Sequence, residues 1–173
     1  MNQPVALILI IILAAVGYWL YVGQQTSLPQ PVGSDPKNAT YEIDGSFVTL
    51  RAGTAETSIA GSTSKTVTQY FGNEAMGDLD SDGSTDIAFI LTQSSGGSGT
   101  FYYVVAALKK GNSYQGTNAI LLGDRVAPQT TQIRNGELVV SYATRKSDEP
   151  MTAQPSVGIS KTFSIIGGRL QDR

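Results

Sequence analysis

The sequence predicts an all-β body, an antiparallel β-sandwich or open barrel of short hairpins, preceded by one N-terminal transmembrane helix. Three observations predict it. The first is an uninterrupted apolar run near the N-terminus. The second is that no sustained 3.6-residue periodicity follows; short β-branched and aromatic runs alternate instead with Gly, Asn, Asp and Ser clusters. The third is a set of Asn-Gly, Asp-Gly and Gly-Gly pairs between such runs, the pattern of tight two-residue hairpins.

Residues 5–22 read VALILIIILAAVGYWLYV, without a charge, and as a helix would span roughly 27 Å, enough to cross a bilayer core. Tyr18, Trp19 and Tyr21 cluster at the far end, where amphipathic rings favour the headgroup level. The preceding Met-Asn-Gln-Pro carries no Lys or Arg and no small-x-small site follows, so residues 1–23 are expected to be an uncleaved anchor in the lipid bilayer. Without Cys there is no lipid acceptor. The first basic side chain is Lys37, so charge does not set which side the body lies on. Residues 24–38, rich in Pro, Gln and Ser, read as a flexible linker, and 39–173 as the folded domain.

Three hairpins are expected in that domain. Residues 41–43 and 47–50 flank Asp44-Gly45, residues 130–134 and 137–143 flank Asn135-Gly136, and residues 164–166 and 169–170 flank Gly167-Gly168. Residues 86–93 and 100–108 are more continuously apolar, as strands covered on both faces would be, and are expected to be central. Their Ser-Ser-Gly-Gly-Ser-Gly link is read as a connector rather than a phosphate cradle, because a strand and not a helix N-terminus follows it.

Composition excludes several functions. Twelve Lys and Arg against 14 Asp and Glu leave a formal charge of -2, without the basic excess that tracks a nucleic-acid backbone. The chain has no Cys and no His, which removes Ser-His-Asp and Cys-His catalysis together with thiolate and imidazole metal sites.

One loop stands out. Residues 78–86, DLDSDGSTD, place Asp78, Asp80, Asp82 and Asp86 at positions 1, 3, 5 and 9 with Gly83 at position 6. Like charges so close repel, and a cation would relieve them. Alternation turns the first three carboxylates one way, Gly83 allows a sharp bend, the backbone carbonyl of Ser84 can add a ligand and Asp86 closes the set. Such hard oxygens suit calcium. An EF-hand would need Glu at position 12, which here is Phe89.

The loop resembles, in a single copy, the D-x-D-x-D-G-x-x-D calcium loop of FG-GAP repeats in integrin-type propellers, and Phe71-Gly72 and Gly77 match that repeat's upstream positions. The resemblance covers residues 70–91 and implies calcium ligation by Asp78, Asp80, Asp82, Ser84 and Asp86 between two antiparallel strands. A propeller needs several blades, so its fold is not implied. The wider run through GGSGTFYYV to LLGDR resembles a group of uncharacterised exported or membrane-anchored bacterial proteins, which implies a compartment but no activity.

The expectation is therefore a non-enzymatic, single-pass, membrane-anchored, extracytoplasmic calcium-binding β-domain, a binding or structural module whose partner would be a cell-surface protein or glycan. The alternative is a small envelope hydrolase, using Ser62 and Lys65 in an S-x-x-K spacing or carboxylates such as Glu74.

Overall fold

A computed structural model describes residues 34–97 and 99–173. The expected anchor at 1–23 and most of the linker lie outside the described residues. Among the described residues, no helix is long and apolar enough to cross a membrane.

The body is built of antiparallel strands, as expected. Strands β1 (Thr40–Ile43) and β2 (Ser46–Thr49) form one hairpin. Strands β3 (Thr54–Ser58), β4 (Lys65–Gly77), β5 (Asp86–Ser94), β6 (Phe101–Lys110), β7 (Ser113–Gly116) and β8 (Ile120–Asp124) form a six-stranded sheet. Strands β9 (Ala127–Arg134), β10 (Glu137–Thr144), β11 (Val157–Ile166) and β12 (Arg169–Asp172) form a four-stranded sheet in the order β12-β11-β10-β9.

The three expected hairpins all form. Asp44 and Gly45, Asn135 and Gly136, and Gly167 and Gly168 each hold two successive positive φ values, from +48° to +76°. Two such residues make the tight turn whose twist matches that of the flanking strands, and Asn, Asp and Gly adopt it at least cost.

Strands β5 and β6 lie at the centre of the six-stranded sheet, and their continuous apolar sequence has a structural reason: both faces are covered. Ala88, Ile90, Val104, Ala106 and Leu108 point to one face and pack with Leu138, Val140, Tyr142, Phe163 and Leu170 of the four-stranded sheet. The alternate residues Ile87, Phe89, Leu91, Tyr103 and Val105 point to the other and pack with Tyr41, Ile43, Val48 and Leu50 of the β1–β2 hairpin and its flank. The expected sandwich or open barrel is thus an open stack of three layers with two apolar interfaces.

One junction ties the layers together. Strands β7 and β8 both pair with β6, one at each end, and the chain between them fills the gap. There the buried Thr117 Oγ1 accepts from Ala106 N at 3.0 Å, and Glu42 of β1 forms a parallel bridge with Asn118. Asn118 also reaches the third layer, donating from Nδ2 to Leu170 O and accepting from Leu170 N at 3.0 and 2.9 Å. Gly116 makes the junction possible: a Cβ there would overlap the Thr40 carbonyl and lie 2.7 Å from the Tyr41 ring.

The flexible linker expected through residue 38 ends earlier. Pro36–Asn38 form a 3-10 turn, capped by Asp35, whose carboxylate accepts from Lys37 N at 2.8 Å. Pro36 is buried and its carbonyl accepts from Tyr41 Oη at 2.7 Å, so this segment belongs to the packed body. Residues 145–156, between β10 and β11, are held by Arg145, which donates to the carbonyls of Ala153 and Arg125.

Candidate metal centre

The acidic loop joins β4 to β5, and the ladder pair Gly77↔Asp86 closes its base. Leu79, at its second position, is buried in the main core. Asp78 and Asp80 on either side of it are half-buried. Gly83 has φ +82°, the bend expected of it, and Ser81 adds a second positive φ of +61°.

Backbone amides organise the loop around its first residue. Asp78 accepts from Asp82 N at 3.2 Å and from Gly83 N at 2.9 Å, and Asp82 Oδ1 accepts from Ser84 N at 2.8 Å. Asp86 is different in kind, being wholly buried, with Oδ2 accepting from Leu79 N and Oδ1 from Lys109 N, each at 2.8 Å. It pins the loop to the end of β6.

The structure brings three of the four expected carboxylates together. One oxygen each of Asp78, Asp80 and Asp86 lie within 4.8 Å of one another. A calcium ion with oxygens at about 2.3–2.6 Å spans about that separation between opposite ligands, so the three oxygens fit one coordination sphere. Asp82 is not one of the three. Its Oδ2, and Oδ2 of Asp80, accept instead from Lys110 Nζ at 2.7 and 2.6 Å. Asp80 Oδ1 is shut off from solvent and has no hydrogen-bond partner among the described residues. An enclosed carboxylate oxygen without a donor is unfavourable unless a cation meets it.

The electrostatics agree with this geometry. Burial raises the Asp86 carboxyl above its ordinary range, against the two amides that lower it, and the charges of Asp80 and Asp82 add to the rise. Asp82 is lowered to about 2, first by the Lys110 ammonium and then by the Ser84 backbone and hydroxyl. Lys110 is raised, chiefly by Asp80 and Asp82. Among the described residues, Lys110 is the one Lys or Arg paired with the loop, leaving three of its four negative charges uncompensated.

The sequence analysis missed Lys110, although a signal was present. Strands β5 and β6 pair at Ile87↔Ala107, and three further steps of that register set Ser84 opposite Lys110. Reading 86–93 and 100–108 as neighbouring strands brings the end of β6 near the loop, but the centre of their link, residues 94–99, sets position 83 opposite 110, one residue off the observed register, so the exact placement came from the structure.

The residues of the hydrolase alternative lie elsewhere. Lys65 Nζ is 2.7 Å from Glu56 Oε2, and that bond raises the lysine, the opposite of what a general base requires. Ser62 Oγ accepts from Ser64 N in the exposed turn before β4, not on the helix that S-x-x-K chemistry uses. Glu74 is exposed on β4 and, after burial, contributes to raising the neighbouring Tyr70 phenol to about 12. Phe71 and Gly72 sit where the β4–β5 register shifts, Gly72 at φ +110°. No protein-family model, curated protein or solved structure matches the chain.

Proposed function

We propose that this chain is a membrane-anchored, extracytoplasmic, calcium-binding β-domain that serves as a binding or structural module at the bacterial cell surface. One observation carries the calcium assignment: the oxygens of Asp78, Asp80 and Asp86 within 4.8 Å of one another, with Asp80 Oδ1 enclosed and unpartnered. Asp82 and the Ser84 carbonyl complete the ligand set implied by the FG-GAP-like spacing. The ion's role is structural, because its loop connects two strands of the largest sheet and is pinned to a third by Asp86. The apolar run 5–22 and its terminal aromatic residues support the anchor. An oxygen site of modest affinity fills where calcium is abundant, as it is outside cells, and that supports the placement of the body.

The test is thermal unfolding of the full chain in mild detergent, followed by circular dichroism, with calcium or chelator. Binding to the native state alone raises stability by RT ln(1 + [L]/Kd), about 2.7 kcal/mol at a hundredfold excess over Kd. Calcium is expected to raise the melting temperature of the parent and leave Asp80→Ala unmoved. No shift of the parent at millimolar calcium refutes the assignment.

A further inference from the structure

We propose that the cleft between the β1–β2 hairpin and the sheet beneath it binds a neutral sugar ring, the terminal pyranose of an uncharged glycan. The inference rests on the reading of this chain as a surface binding module and names its partner, and it uses no residue of the acidic loop.

The cleft follows from where the hairpin stops. Its tip is held by Tyr103, whose hydroxyl donates to Asp44 Oδ2 at 2.8 Å, and its inner residues cover Phe89, Leu91 and Val105. Along that face β3, β4 and β5 change from apolar to polar. Ala55, Tyr70 and Leu91 pack with the hairpin, whereas Thr57, Thr66 and Gln93, on the same face by strand alternation, stand beyond it. The ladder pairs Thr57↔Thr66 and Thr68↔Gln93 set these side chains side by side. With Asp44 and Ser46 of the hairpin they surround a cleft of about 210 Å³, and Ile43, Val48 and the 52% exposed Phe47 give it an apolar side.

The lining selects a class of ligand. It holds no Lys or Arg, so phosphate, sulfate and carboxylate groups find no counter-charge, and one carboxylate is too few for a divalent ion. A hydrocarbon would strip water from three hydroxyls, an amide and a carboxylate, and a simple amine would pair with Asp44 and leave the rest unused. The volume lies below the about 300–1,000 Å³ of drug-sized sites and suits a single ring. A pyranose meets each condition, with C–H groups for Ile43, Val48 and Phe47 and hydroxyls that both donate and accept. Asp44 gives one oxygen to Tyr103, and Gln93 Nε2 donates to Thr68 Oγ1 at 3.2 Å. Those bonds hold both side chains in place and leave one carboxylate oxygen and one amide oxygen to accept from a ligand. Phe101, 40% exposed, is the ladder partner of Gln93 and shares its face, so a second ring stands beside the cleft where the next sugar of a glycan can stack. Asp86 and Gln93 lie towards opposite ends of β5, about 23 Å apart along the strand, so the cleft and the acidic loop are separate.

The test is saturation-transfer NMR of the full chain in an amine-oxide detergent, which has no sugar headgroup. The probes are the methyl glycosides of glucose, galactose, mannose and N-acetylglucosamine, with glucuronate and glucosamine as charged controls, each at about 20 mM so that a millimolar site is filled. Transfer to at least one neutral glycoside and none to the charged controls is expected, equally with calcium and with chelator. Gln93→Leu and Asp44→Asn are expected to weaken it about tenfold, and Asn keeps the positive φ that the turn requires. Thr57→Val, on an exposed edge strand, removes a hydroxyl at constant shape and gives the same readout should either of those variants unfold. A disaccharide of the preferred sugar is expected to bind more tightly than its methyl glycoside, and Phe101→Ala to abolish the difference. No transfer to any neutral glycoside, transfer confined to a charged sugar, or transfer unchanged in all three cleft variants overturns the proposal. A calcium-dependent rise in melting temperature without sugar transfer overturns the sugar site alone, whereas sugar transfer without that rise upholds the cleft and overturns the calcium assignment.

Discussion

The four loop aspartates look equivalent in sequence, but replacing them one at a time is expected to divide them into two kinds. The sharpest case is Asp86→Ala in metal-free protein. Asp86 is wholly buried and accepts from Leu79 N and Lys109 N, so its removal leaves two enclosed amides without partners. Each unsatisfied donor costs about 1–3 kcal/mol, and loss of a buried like charge beside Asp80 and Asp82 returns part of it, for a net destabilisation of about 2–4 kcal/mol. At about 2–4 °C per kcal/mol for a chain of this size, the melting temperature falls by roughly 5–15 °C. Asp80→Ala removes an oxygen with no partner together with a partly exposed ion pair, and is expected to melt in chelator within a few degrees of the parent. The assay is circular dichroism melting of the full chain in detergent with excess chelator. An Asp86→Ala variant that melts with the parent would refute the argument that Asp86 positions the loop through those two amides. Equal losses for both substitutions would refute the division itself.

Two further outcomes test the architecture that holds the loop. Gly116→Ala is expected to destabilise by about 3 kcal/mol or more in urea unfolding, because the added Cβ meets the Thr40 carbonyl rather than a side chain that can yield. Gly158→Ala, in β11 with open space around its Cβ, is expected to be neutral or slightly stabilising, and a similar loss at both sites would locate no crowding at Gly116. Glu42 is held below its ordinary carboxyl range by its hydrogen bond to Arg169, with Oε2 2.6 Å from Nη1. A depressed native pKa contributes stability that is full above the unfolded value, near 4.5, and is lost as pH falls through the native one. Urea unfolding at pH 6 and at pH 3 should therefore show Glu42→Gln losing about 0.5–1 kcal/mol less than the parent on acidification, and parallel losses would show that the pair contributes nothing.

Hairpin positions were legible because their cause is local. Asp44-Gly45, Asn135-Gly136 and Gly167-Gly168 adopt positive φ at little cost wherever they occur between strand-forming residues, so the turns could be placed without knowing what the strands pack against. The acidic loop was legible for the same reason. Its bend at Gly83 and the approach of Asp78, Asp80 and Asp86 arise within nine consecutive residues. The apolar density of β5 and β6 likewise announced burial on both faces, though not what would bury them.

What covers those faces was decided by contacts between distant residues. The 3-10 turn at Pro36–Asn38 has the composition of a linker, and contacts with residues further along the chain tie it to the body: Pro36 O accepts from the Tyr41 hydroxyl, Lys37 O from Gly53 N and Asn38 Oδ1 from Ala52 N. The three-layer stack depends on Gly116 admitting β1, and on Asn118 bridging to Leu170 fifty-two residues away. At the site itself, the sequence determined the carboxylates, their spacing and the bend between them. The tertiary structure decided that Asp86 would bind backbone amides and that Lys110 would enter from β6 to hold Asp80 and Asp82. The physical reason is that a turn is set by the conformational preferences of adjacent residues, whereas a charge from another strand reaches the loop only once the register between strands of the six-stranded sheet has placed it there.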